Sequence, residues 1–208
     1  MRLPTFTFLS LLGALSLAQD SSDPTEPSCA PYTKSAPFHL RLRSSDSARL
    51  NNTILISSHA GPPFRQLVTS AWYADKYGQD YVPNEVSTRF YLNSSASAGT
   101  YPCPGDNLVW EWGPGTGIAD SSLLFKESRV RSGWMAYLYP GPSGESVGFD
   151  AAAGRLVLEE DGSEWSRWWI CRTVWATYQY ESLVWGVGEG KPEGLEGCEK
   201  VEVLREWV

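Results

Sequence analysis

Twenty-four residues, "WSRWWICRTVWATYQYESLVWGVG" (165–188), hold five of the chain's ten tryptophans and two of its ten tyrosines. Flat aromatic faces stack on the apolar faces of sugar rings, and neighbouring polar groups fix the orientation. The same residue types are enriched where proteins touch each other. Trp165, Trp168, Tyr178 and Tyr180, flanked by polar residues, are therefore the expected exposed rings of a binding surface. Its ligand would be a polysaccharide or an extracellular protein. Read as a strand, the segment places Trp169, Cys171, Thr173 and Trp175 on one face and Trp168, Ile170, Arg172 and Val174 on the other. Tryptophan on both faces implies that part of the strand lies between two layers, with Leu183, Trp185 and Val187 in the same core.

Catalysis has less material to work with. Ser57, Ser58 and His59 are adjacent in sequence where the chain is expected to turn, but a nucleophilic relay needs convergence in space and a carboxylate. No Gly-x-Ser-x-Gly elbow occurs. His39 falls on the outward face of a strand. Glycoside hydrolysis requires two carboxylates held across a cleft. Glu159, Glu160, Asp161 and Glu164 in "LEEDGSEW" read instead as a solvated turn, without an apolar pocket to raise either pKa. "GPGTG" and "GVGEGK" lack the following helix of a phosphate-cradling loop and read as turns. Neither the histidines nor the four cysteines have zinc-module spacing, so no metal and no cofactor is expected.

The elements that must position these residues have a period of two. "FHLRLR" puts Phe38, Leu40 and Leu42 on one face, with His39, Arg41 and Arg43 on the other. "TILIS" and "RFYLN" read alike. "NLVWEWG" points Leu108, Trp110 and Trp112 inward, and "WMAYLYP" points Met135, Tyr137 and Tyr139 inward. "VGFDAAAGRLVLEEDG" reads as a hairpin turning at Ala152 to Gly154, and "KVEVLREW" buries Val201 and Val203. "SAWYADKYG" is the nearest thing to a helix, too short to predict one. Short strands between Gly/Pro clusters predict a single antiparallel all-β domain, a sandwich or barrel-like fold, with a β-trefoil as the alternative.

Residues 1–18 read as a signal peptide, Arg2 preceding the apolar run "FTFLSLLGALSL", with cleavage expected after Ala18. Residues 19–37 are a Pro/Ser-rich arm, and 38–208 form the domain. The expected location is extracellular or in a cell wall, with no membrane span. Cys29, Cys103, Cys171 and Cys198 then suggest two disulfides. Of the three possible pairings, Cys171–Cys198 with Cys29–Cys103 is favoured, because the first would clamp the aromatic segment to the last strand. Asn51 and Asn93 head glycosylation sequons. A net charge of −7 with no basic cluster excludes nucleic acid as a natural partner. Oligomeric state is not legible.

The order of "FHLRLRSSDSARLNNTILISSHAG", "RFYLN", and "WWICRTVWATYQYESLVWGVG" followed by "CEKVEV" resembles a group of small fungal secreted proteins of unknown function. The resemblance covers most of residues 38–208. It implies a β-rich secreted domain and a Cys171–Cys198 bridge, and it carries over no active site. The expected function is non-catalytic binding outside the cell through surface aromatics. The alternatives are a secreted hydrolase whose site assembles from distant residues, and a structural wall protein with every tryptophan buried.

Overall fold

The computed structural model describes residues 32–61, 64–78, 85–94, 106–111, 121–127, 133–140, 145–160, 163–188 and 190–208. The expected signal peptide, most of the expected arm, Cys29, Cys103, Trp112 and Asp161 lie outside them. The described chain is almost entirely antiparallel β-structure. One large sheet begins with β1 (Thr33–Lys34), β5 (Tyr91–Ser94), β6 (Asn107–Trp110), β7 (Ser121–Glu127) and β8 (Gly133–Pro140). It continues through β4 (Phe64–Thr69), β13 (Tyr178–Gly186), β12 (Trp168–Trp175) and β14 (Glu196–Lys200), with β3 (Leu55–Gly61) paired to β4. Two smaller sheets lie apart from it: β2 (Phe38–Arg43) with β15 (Glu202–Trp207), and β9 (Val147–Phe149), β10 (Leu156–Glu160) and β11 (Ser163–Trp165). No closed barrel forms among the described strands. The arrangement is sandwich-like, and the trefoil alternative is set aside.

The main core holds side chains from all three sheets. Phe38, Leu40 and Leu42 of β2 are fully buried, as their alternation requires, and Val201 and Val203 join them from the other end of the chain. Trp168 is 0% exposed, and its indole N–H donates to the Leu156 carbonyl at 2.7 Å, which ties the large sheet to the small one. It meets Trp185 edge-on at 4.8 Å. A buried tryptophan is most stable when that N–H finds an acceptor, and here it does. Trp168 was an expected surface ring; the structure corrects this, because its face of β12 lies under the second layer.

The β9–β10 hairpin turns where the sequence places it. Asp150 accepts the Ala153 N–H at 2.6 Å, Gly154 takes a positive φ of 65°, and Arg155 pairs with both Asp150 and Glu202. The Ala153 N–H, then the Arg155 guanidinium, holds the Asp150 carboxyl below its ordinary pKa.

Four further expectations are corrected. In β8 the buried residues are Ala136 and Leu138, whereas Met135 and Tyr137 are half-buried on the other face and Tyr139 is exposed. Both faces of β8 are apolar, so alternation fixes the pairing of positions and leaves open which set faces in. Val187 lies past the end of β13 and is exposed. His59 sits within β3 opposite Arg65, before the turn. Ser70–Tyr77 forms a helix, α1, capped by Thr69, whose hydroxyl accepts the Trp72 N–H at 3.0 Å. It lacks a helical period because it depends on tertiary packing: Trp72 and Tyr73 rest on Ile56, Val68 and Tyr180 of the sheet.

Candidate ligand-binding surface

The large sheet has an inner face on the main core and an outer face that carries rings. Register decides which residues share the outer face. Val184 pairs with Met135, Gln66 with Tyr137, Gly61 with Phe64, Thr173 with Tyr180, and Trp175 with Tyr178. Phe64 lies at the centre of one group, 5.3 Å from Tyr139, 5.5 Å from Tyr137 and 5.4 Å from Trp175. Across the β12–β13 hairpin, Tyr178 and Tyr180 continue the surface, and Trp72 of α1 stacks on Tyr180 at 5.4 Å. The result is a ledge of rings running from Tyr139, 38% exposed, to Tyr178, 61% exposed, and Tyr77, 55% exposed.

A fork in the sheet shapes its middle. β8 pairs with β13 through Met135 and with β4 through Tyr137, so the two neighbours diverge between these residues. The depression lined by Ala60, Phe64, Gln66, Met135, Tyr137 and Trp175 lies at this fork. It holds about 10 Å³, no more than one water's worth, so the surface is a shallow ledge and not an enclosed small-molecule cavity. Below it, Thr173 and Ser182 share a hydrogen bond of 2.9 Å, and Ser182 donates to Gln66 Oε1 at 2.7 Å. This buried polar chain fixes the floor on which the rings stand. Burial raises the pKa of the Tyr137 and Tyr180 hydroxyls, aided by Glu145 for the first and by Tyr77 and Tyr178 for the second. Both stay neutral at physiological pH.

The hairpin tip is strained. Ala176 and Thr177 adopt φ of 47° and 74°, a conformation suited to glycine and costly for a β-branched residue. The two-residue turn sets Trp175 and Tyr178 opposite each other on the ledge, and Val174 projects from the other side, 65% exposed.

Of the four rings expected at the surface, two reach the ledge. Tyr178 is its most exposed ring, and Tyr180 is 7% exposed and forms its base. Trp165 is at the surface but on β11 of a small sheet, with Arg167 stacked on it at 4.0 Å. Sequence reasoning missed Phe64, Trp72, Tyr77, Tyr137, Tyr139 and Trp175 as partners. The available signal was the apolarity of both faces of "WMAYLYP" and "WATYQY".

The residues considered for catalysis are dispersed. Ser58 and His59 are neighbours along β3 and project to opposite faces. Ser57 accepts a hydrogen bond from Arg65 Nε at 2.7 Å, and Ser58 accepts one from the Tyr73 hydroxyl at 2.9 Å. Burial lowers the Arg65 pKa, and its guanidinium lies 4.2 Å from the Trp110 ring. His39 is half-buried, with its pKa lowered mainly by burial, and the Thr88 hydroxyl is 3.5 Å away. Glu159 pairs with Glu164 across β10 and β11, and Glu164 is exposed. Among the described residues, no three His, Cys, Asp or Glu side chains are placed to hold a metal. No helix among them is long and apolar enough to cross a membrane.

The expected Cys171–Cys198 disulfide is present and joins β12 to the edge strand β14. Asn51 lies exposed in a turn, whereas Asn93 sits inside β5 between β1 and β6. A family described as a domain of unknown function, DUF7907, matches residues 35–207. The chain belongs to this family. No curated protein and no solved structure matches it. The DUF7907 match agrees with a β-rich domain of unknown function.

Proposed function

We propose that this DUF7907 chain is a non-catalytic binding protein that holds polysaccharide on the outer-face ledge, outside the cell or in its wall. One observation carries the reading: a continuous row of partly exposed rings, Tyr139, Phe64, Trp175 and Tyr178, stands on a rigid sheet around an open depression. Rings on strands are better fixed than rings on loops, and an open ledge accepts a polymer that passes through it at both ends. The disulfide supports an oxidising compartment.

The test is tryptophan fluorescence and sedimentation with insoluble wall polysaccharides. Tyr178→Ala and Trp175→Ala are expected to weaken binding about tenfold or more, on the scale of a lost stacking contact. Trp165→Ala, on another surface, should leave it unchanged. The reading fails if the folded protein binds no glycan. It also fails if only Trp165→Ala affects binding. Capture of a protein by the same ledge would replace the polysaccharide.

A further inference from the structure

The ledge ends at a cation. The Lys76 ammonium lies 4.5 Å from the centroid of the Trp72 ring, 5.3 Å from Tyr77, 5.9 Å from Tyr178 and 5.7 Å from Tyr180. Four ring faces hold a flexible side chain over one spot. Two described acids nearby face Arg49 instead: Glu181 is bound by both terminal nitrogens of Arg49, and Asp75 lies 3.8 Å from the same guanidinium. Among the described residues, Lys76 has no carboxylate within ion-pair distance. Lys76, Tyr77 and Tyr178 are all exposed, so a ligand resting on these rings meets an unneutralised positive charge.

We infer that the ledge selects carboxylate-bearing polysaccharides, with Lys76 pairing with the carboxylate of the sugar that rests beside it. This rests on the proposed function and adds the ligand class to it. A uronate ring stacked on Tyr178 presents an apolar face to the aromatic surface and an equatorial rim to solvent. A carboxylate on that rim can pair with the ammonium as a charge-assisted hydrogen bond. The chain's charge of −7 acts against any polyanion at long range. At physiological salt that repulsion is screened within about 8 Å, so the local pair dominates. A cationic polymer fits worse, because it would bring a second positive charge to the cage.

The experiment compares two probes with one backbone, polygalacturonate oligomers and the same oligomers fully methyl-esterified, by calorimetry on the full chain. Wild type is expected to bind the free acid about tenfold more tightly, a preference that shrinks as salt is added. Lys76→Met keeps the aliphatic stem and should abolish the preference while ester binding persists. Lys76→Arg should retain it. Equal affinity for acid and ester in wild type overturns this inference and leaves the ledge reading intact. A preference that survives in Lys76→Met does the same. Failure to bind either oligomer while another glycan binds overturns this inference alone, and failure to bind any glycan overturns both. Circular dichroism confirms that each variant is folded, as expected for an exposed site.

Discussion

The two faces of the large sheet use the same residue types for opposite ends. On the inner face Trp168 is closed under a second layer, its N–H spent on Leu156 and its edge against Trp185. On the outer face Trp175 and Tyr178 stand across one hairpin, with a short helix beside them among the described residues. Aromatic content alone therefore says little about function. What separates the faces is whether a second sheet is stacked on them. Here β2–β15 and β9–β10–β11 cover one side, and eight residues of α1 cover part of the other.

Truncating one ring from each face should give the largest contrast. Trp168→Ala should cost about 3–5 kcal/mol of stability in urea unfolding. Tyr178→Ala should change it by about 0.5 kcal/mol or less. Equal losses would show that the outer ring is also core. Next in size is the disulfide, whose sulfurs pack with Val184 on the outer face. Replacing Cys171 and Cys198 by alanine should lower stability by about 3–4 kcal/mol, from the loop released between residues 27 apart. An unchanged thermal midpoint would remove that support from the outer face.

A smaller effect sharpens the inner side. The folded pKa of Asp150 is depressed, so its contribution to stability is present above the unfolded value of about 4. It is lost as pH falls through the depressed value. The stability gap between wild type and Asp150→Asn should therefore be open at pH 7 and close in acid. A gap independent of pH would mean that the carboxylate's charge is not what holds the turn. Smallest is Thr177→Gly at the hairpin tip, which should stabilise by about 1 kcal/mol by relieving the left-handed threonine. A loss instead would show that the threonine side chain holds the tip.

These pairs also show what sequence can convey. β2, β15 and the β9–β10 turn were legible because each has a polar outward face or a turn residue that breaks the pattern: Arg41 and Arg43 oppose Leu40 and Leu42, and Gly154 follows the Asp150 turn. The inward set of β8 was not legible, because Met135, Tyr137 and Tyr139 are as apolar as Ala136 and Leu138. On this strand the core takes Ala136 and Leu138, next to the large rings it already holds. Trp168 and Trp165 are three positions apart with similar neighbours, yet only the strand pairing separates them. Helix α1 has Thr69 as a cap signal but no apolar stripe, since its support comes from the sheet surface of Ile56, Val68 and the distant Tyr180. The Cys171–Cys198 disulfide was legible from the even cysteine count, the expected oxidising compartment and the resemblance. The ledge was not, because it is assembled from four strands and a helix.

The fork in the sheet has a consequence for engineering. The place of the depression is set where β8 changes partners between Met135 and Tyr137, a property of the backbone pairing, while the rings of Phe64, Tyr137 and Trp175 form its walls. The rings can then be treated as interchangeable fittings on a fixed mount. A combinatorial library varying positions 64, 139, 175 and 178 would alter what the surface grips while leaving the groove's position and direction as they are.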